Sequence, residues 1–218
     1  MATSDVESIP YVLGLAGLIV VGVMHSASKA KKAKLALVDA TAKNASAIAG
    51  LQGFQPSVSF IGSLNEDAIA IDAERKSVGI AKAGKTATEL AFSQISSVQV
   101  LKDGEPIGAT DMTNSAAGAA AGAVIGNALF GGVGLVAGFL AGNARGFKQV
   151  EKLALKIYTT DLVAPVVEVV FLSHPTGLHR ADNHLKARAQ TIDEWFARFQ
   201  AIMKAEQGAS RVPGFKSA

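Results

Sequence analysis

Hydrophobic and polar positions divide the chain into stretches of different period. The first is almost unbroken. Ile9 to Met24 reads Ile-Pro-Tyr-Val-Leu-Gly-Leu-Ala-Gly-Leu-Ile-Val-Val-Gly-Val-Met, and no Asp, Glu, Lys or Arg falls between Glu7 and Lys29. Those 21 residues make roughly 30 Å of helix, about one hydrocarbon core. Pro10 suits a first helical turn and Tyr11 an interfacial position. The pattern predicts a transmembrane helix over 9–28 behind a short tail, 1–8. A buried core helix is seldom apolar on every face. Residues 29–52 are then rich in alanine and lysine. Leu35, Val38, Ala42, Ala45, Ile48 and Ala49 stand mostly three or four apart, and the alanines favour helix. Gly50, Gly53 and Pro56 end it, leaving a helical stalk to the next domain.

Beyond Pro56 the period falls to two. Ile69 and Ile71 alternate with small or polar neighbours, as do Val78 and Ile80, Leu90 and Phe92, and Val98 and Val100. Such runs predict short antiparallel strands with one buried face. Ala73-Glu-Arg-Lys76 is expected to turn between the first two. The alternation resumes at Leu153, Leu155 and Ile157, and again from Pro165 to Leu172 with Val167, Val169 and Phe171 inward. Ile192, Trp195, Phe196, Phe199, Ile202 and Met203 recur at helical spacing and predict an amphipathic helix over Thr191–Met203. A tail, 207–218, follows the folded part.

Between the two groups of strands lies a second apolar block, 33 residues without charge between Asp111 and Arg145. Gly118, Gly122 and Gly126 are four apart, as are Gly134, Gly138 and Gly142, with Gly131-Gly132 between the triplets. Glycines at that spacing line one helix face and admit another backbone closely. The block is expected to be a glycine-zipper helical hairpin, 111–146, inserted into a domain split as 53–110 and 147–206. Strands on its two sides share one sheet, and sheets do not pair across a bilayer, so the chain must return to the side it left. Each arm, of about 15 residues or some 22 Å, falls short of a full span. Re-entrance or oligomerisation is the expected outcome.

Composition agrees with membrane association and excludes several chemistries. Apolar residues make up 49% and charged ones only 18% of 218, against a charged norm of about 25%. Mean hydropathy is +0.30. There is no cysteine, hence no thiolate nucleophile or cysteine-held zinc. A net charge of +3 with 6% aromatics argues against nucleic-acid binding. The charges near the first span orient it. Asp5 and Glu7 precede it; Lys29, Lys31, Lys32 and Lys34 follow. The positive-inside rule then puts the N-terminus outside and the main domain in the cytoplasm. The four lysines are expected at the membrane surface, as a stop-transfer signal or against anionic headgroups.

Order of elements adds a resemblance. Strands, an insertion, two more strands and a C-terminal helix bearing Trp195, with the Ala-Ile-Asp72 hairpin, are similar to a pleckstrin-homology-like (PH-like) domain. About seven antiparallel strands capped by a helix are expected, a mainly β fold with α. The insertion separately resembles bacterial glycine-zipper segments through its six spaced glycines. The resemblance implies a binding or scaffold module and not an enzyme. Phosphoinositide-binding loop residues have no clear match here.

Two motifs need weighing as chemistry. Gly79-Ile-Ala-Lys-Ala-Gly84-Lys85-Thr86 fits the phosphate-binding pattern G-x-x-x-x-G-K-[ST]. A working site needs a buried strand before it and a helix opening at the lysine. Residues 72–78 are polar and 87–92 alternate, so Gly84-Lys85 is expected to be a hairpin turn. His174, His179 and His184 recur every five residues, a spacing that scatters side chains on helix or strand. Pro175 and Gly177 predict a loop there. No catalytic set, cofactor or metal is expected. The sequence thus reads as an inner-membrane scaffold with a bilayer, other copies of itself and an unidentified protein as partners. The alternatives are a membrane-permeabilising effector built from zipper hairpins and, resting only on Gly79–Thr86, a nucleotide-binding enzyme.

Overall fold

The computed structural model describes residues 31, 32, 34–111 and 149–210. Two four-stranded antiparallel sheets face each other. The first runs β1(Val58–Ile61), β2(Ala68–Asp72), β3(Ser77–Ala81) and β4(Ala87–Ala91) in that order. The second contains β5(Ile95–Lys102), β6(Glu105–Asp111), β7(Gln149–Thr159) and β8(Val166–His179), ordered β6-β5-β7-β8. Helix α1 covers 34–49, and α2(Asn183–Ser210) closes the chain. This is the PH-like sandwich with its C-terminal helix, built with eight strands where about seven were expected.

Period-two alternation explains the interior. Ile69, Ile71, Val78 and Ile80 from the first sheet meet Val98, Val100, Leu153, Leu155, Ile157, Val169 and Phe171 from the second. From α2, Trp195, Phe196 and Phe199 complete the same cluster. The Trp195 ring centroid lies 6.4 Å from those of Phe171 and Phe199. Phe60 stacks on Phe171 at 4.6 Å. The start of α2 is fixed by Asp182, whose Oδ1 accepts the backbone N–H of His184 at 2.7 Å. That is an N-cap.

Both expected hairpins form. Residues 73–76 link β2 to β3, and 82–86 link β3 to β4. Phe92 does not extend β4. It opens a single 3-10 turn, Phe92–Gln94, and packs on the core from there. The region around Pro175 and Gly177 also departs from expectation. It belongs to β8, which runs to His179. Pairing passes from Lys152↔Ser173 to Val150↔Leu178, so β8 carries extra residues as a bulge. The strand lies at a sheet edge, where a missing proline N–H removes no ladder bond, and Gly177 takes φ +71°.

The insertion's anchors are set by register. β6 and β7 flank β5, and each is antiparallel to it, so they run parallel to each other. Asp111 ends β6 opposite Ser97, whereas Leu153 is opposite Lys102 and Gln149 lies four residues earlier. Along the strand direction the two anchors are therefore up to about 30 Å apart. Residues 9–28, expected to form a transmembrane helix, Lys29, and the expected zipper hairpin with its six glycines lie outside the described residues. Among those described, no helix is long and apolar enough to cross a membrane.

Candidate functional site

The outer face of the first sheet carries α1. On β2 the inward isoleucines alternate with Ala68 and Ala70, which face out and are buried with Ala81 beneath Ile48 and Phe54. A second face of small residues thus admits a helix. The residues that α1 turns to the sheet are Asn44, Ala47 and Ile48, with Leu51 just past its end. Gly79 lies under the end of that contact: a Cβ there would be 2.7 Å from Leu51 Cδ1 and 3.1 Å from Phe54 Cζ. The first glycine of the phosphate-loop-like motif is therefore a packing glycine.

Asn44 is 2% exposed and its Nδ2 donates to the carbonyls of Gly62 and Glu66, at 3.1 and 3.0 Å. Glu66 is the centre of a larger latch. Its carboxylate accepts from the Ser63 backbone N–H and hydroxyl and from Arg188 of α2 at 2.8 Å. Arg188 also lies over the Phe60 ring, 5.0 Å from its centroid. The neighbouring Asp67 accepts from Lys82 Nζ, the Ala83 N–H and the Val170 N–H. The β1–β2 turn therefore ties α1, both sheets and α2 together. Buried carboxylates are tolerated when paired and hydrogen-bonded in this way.

Asp72 has a comparable local role. It accepts the backbone N–H groups of Arg75, Gln55 and Glu74 at 2.9, 2.7 and 3.0 Å. The hydrogen bond from Arg75 is the foremost cause holding its carboxyl below the usual carboxylate range, with Gln55 next. The carboxylate that closes the turn also fixes the chain leaving α1.

Beside α1 an open groove of about 600 Å³ is lined by Lys43, Ser46, Gly50, Gly84, Lys85 and Thr86, among others. Its placement invites comparison with a phosphate site. The backbone denies it: Lys85 N–H donates to Lys82 O at 2.8 Å, and Ala83 N–H is taken by Asp67. Gly84 has φ +72°, and a strand rather than a helix begins at Ala87. With these two amides engaged and no helix N-terminus after it, the loop lacks the geometry of a phosphate cradle. The motif is a hairpin, as its flanks predicted.

Of the lysines expected at a membrane surface, Lys34 is exposed on α1, and Lys31 and Lys32 are exposed ahead of it. Residues 34–39 are exposed all round, so the helix stands clear of the sandwich before Asn44 seats it. The histidines have separate duties. His174 Nδ1 meets Thr176 Oγ1 at 3.4 Å, and His179 Nδ1 accepts the Ala181 N–H. Among the described residues, no three His, Cys, Asp or Glu side chains are gathered as a metal site.

A family model described as a glycine zipper containing PH domain matches residues 58–173. That is more than half of the chain. The chain belongs to this family. The matched stretch of the glycine-zipper PH domain begins at the first residue of β1 and ends within β8. It takes in both sheets and the glycine-rich insertion, while α1 and α2 lie outside it. No curated protein and no solved structure matches the chain.

Proposed function

We propose that this glycine-zipper PH domain is a membrane-anchored, non-enzymatic scaffold. Residues 9–28 serve as its single anchor, with the N-terminus outside and the sandwich held at the cytoplasmic face of the inner membrane. The zipper segment joins copies to each other or enters the bilayer. The supporting observation is the place of the insertion: it leaves from β6 and returns on β7, the two neighbours of β5. Both of its ends are thus gripped by the folded sheet, and a force or contact on the zipper is passed to the domain core. A scaffold role also fits the buried carboxylates Glu66, Asp67 and Asp72, all of which are engaged in structural hydrogen bonds.

The test is Gly122→Leu with Gly138→Leu in the full chain. Both changes keep the arms apolar but block close backbone approach. Cross-linked higher species should vanish while the protein stays in the membrane fraction. A periplasm-dependent reporter fused after Ala218 should remain silent. Unchanged cross-linking in the double variant would overturn the zipper role, and an active reporter would overturn the orientation. Wild-type toxicity with loss of membrane potential, cured by the double change, would replace the scaffold with a permeabilising effector.

A further inference from the structure

Of the apolar stripe of α1, only Ile48 packs on the sheet. Leu35, Val38, Ala42, Ala45 and Ala49 all remain exposed, Leu35 at 70% and Val38 at 61%. Their spacing is three, four, three, four, the a/d repeat of a heptad seam. The face used by the sandwich, through Asn44, Ala47, Ile48 and Leu51, lies on the other side of the helix. A single helix has therefore been given two contact faces, only one of which is occupied by the described residues.

Charge identifies the second occupant. Lys34 and Asp39 flank the seam on its two sides, five residues apart. In a parallel, in-register pair of helices, a residue at g faces the residue five positions on, at e, of its partner. Lys34 of each copy would thus meet Asp39 of the other, giving two complementary pairs. Among the described residues Asp39 pairs with the exposed Lys43, one turn away. We propose that α1 is a homodimerisation element, in which the Leu35–Ala49 seams of two copies of this chain pair in parallel with Lys34–Asp39 bridges across them.

The seam is about 22 Å long and alanine-rich, too short to hold free molecules together. It gains from a high local concentration, and its parallel sense rests on the reading that every copy enters α1 from the same membrane face. The interface is separate from the zipper. Pairing here joins copies through the residues leading into the sandwich, whereas the zipper would join them through its insertion.

The absence of cysteine gives a clean experiment. Val38→Cys, at the seam, and Ala36→Cys, exposed away from it, are introduced singly into the full chain and oxidised in isolated membranes. Val38→Cys should form a disulfide-linked homodimer several times faster than Ala36→Cys. Lys34→Glu should slow that reaction and Lys34→Glu with Asp39→Lys should restore it. Linking should persist when Gly122 and Gly138 are both changed to Leu. Equal linking at the two positions, linking to a different protein, no rescue by the charge swap, or loss in the zipper variant would each overturn the proposal. Loss of Val38 linking in protein that stays in the membrane fraction would overturn the seam alone, whereas release of the protein to the soluble fraction would overturn the anchor reading on which the seam rests.

Discussion

Helices α1 and α2 each cover a sheet surface, but with opposite kinds of side chain. α2 sends Trp195, Phe196, Phe199 and Met203 into the large cluster shared by both sheets. α1 rests Ala47, Ile48 and Leu51 on Ala68, Ala70 and Ala81. Burial of a large side chain contributes about 1.5–3 kcal/mol, whereas an alanine methyl contributes a fraction of that. α2 is thus part of the domain's cohesion. α1 is held by shape and by Asn44, on a surface that small residues keep shallow. Its first turns are free of the sandwich, and its outer stripe is uncovered. The lesson is that helix amphipathicity alone does not say which side is inside: on α1 Leu35 and Val38 face solvent, while a polar asparagine is buried beside Ile48.

The largest break in this contrast should come from α2. Trp195→Ala removes an aromatic side chain that is 2% exposed and should cost about 3–5 kcal/mol, measured by denaturant unfolding of the full chain. A loss below about 1 kcal/mol, the level of a surface change, would mean that α2 does not close this core. The cost should appear as reduced global stability, with α1 and the sandwich unfolding at lower denaturant together.

Asn44→Ala should have a smaller and more local effect. It leaves the Gly62 and Glu66 carbonyls without their Asn44 donor, a penalty of about 1–3 kcal/mol. Hydrogen exchange should accelerate in α1 and at the β1–β2 turn while α2 keeps its protection. Equal loss of protection in both helices would show that α1 belongs to the same cooperative unit as the core.

Much of this contrast was legible in the sequence, for reasons that are local. Large residues on alternate positions mark β2, β3, β5, β7 and the first half of β8, and the Trp195 stripe marks α2. The polar run before Gly79 and the alternation after Thr86 already argued against a nucleotide loop. What stayed hidden depends on distant partners. β6 contains Pro106 and Gly108 and lacks a strong alternating row, yet as an edge strand of its sheet it tolerates both. The Glu66–Arg188 bridge joins positions 122 apart, and Asp67 reaches Val170 across 103; no local pattern announces either. The docking face of α1 was equally silent, because alanines and Gly79 receive it.

Gly79→Ala tests that last point with the smallest expected effect. The added methyl would come within 2.7 Å of Leu51 Cδ1 and 3.1 Å of Phe54 Cζ. Both contacts are with side-chain ends in the segment that follows α1, and the backbone of the sheet is not opposed. Leu51 can move by changing rotamer, so the overpacking should fall at or below the about 1–3 kcal/mol typical of a tight core. In a strand, alanine also regains roughly 0.5–1 kcal/mol over glycine. The two terms oppose each other, and global stability should shift little. The displaced Leu51 nevertheless loosens the end of the α1 contact, so proteolysis near residues 50–54 should quicken without a matching change in the unfolding midpoint. A large fall in global stability would show that the face beneath α1 is as tightly packed as the face beneath α2, and the contrast between the two helices would fail.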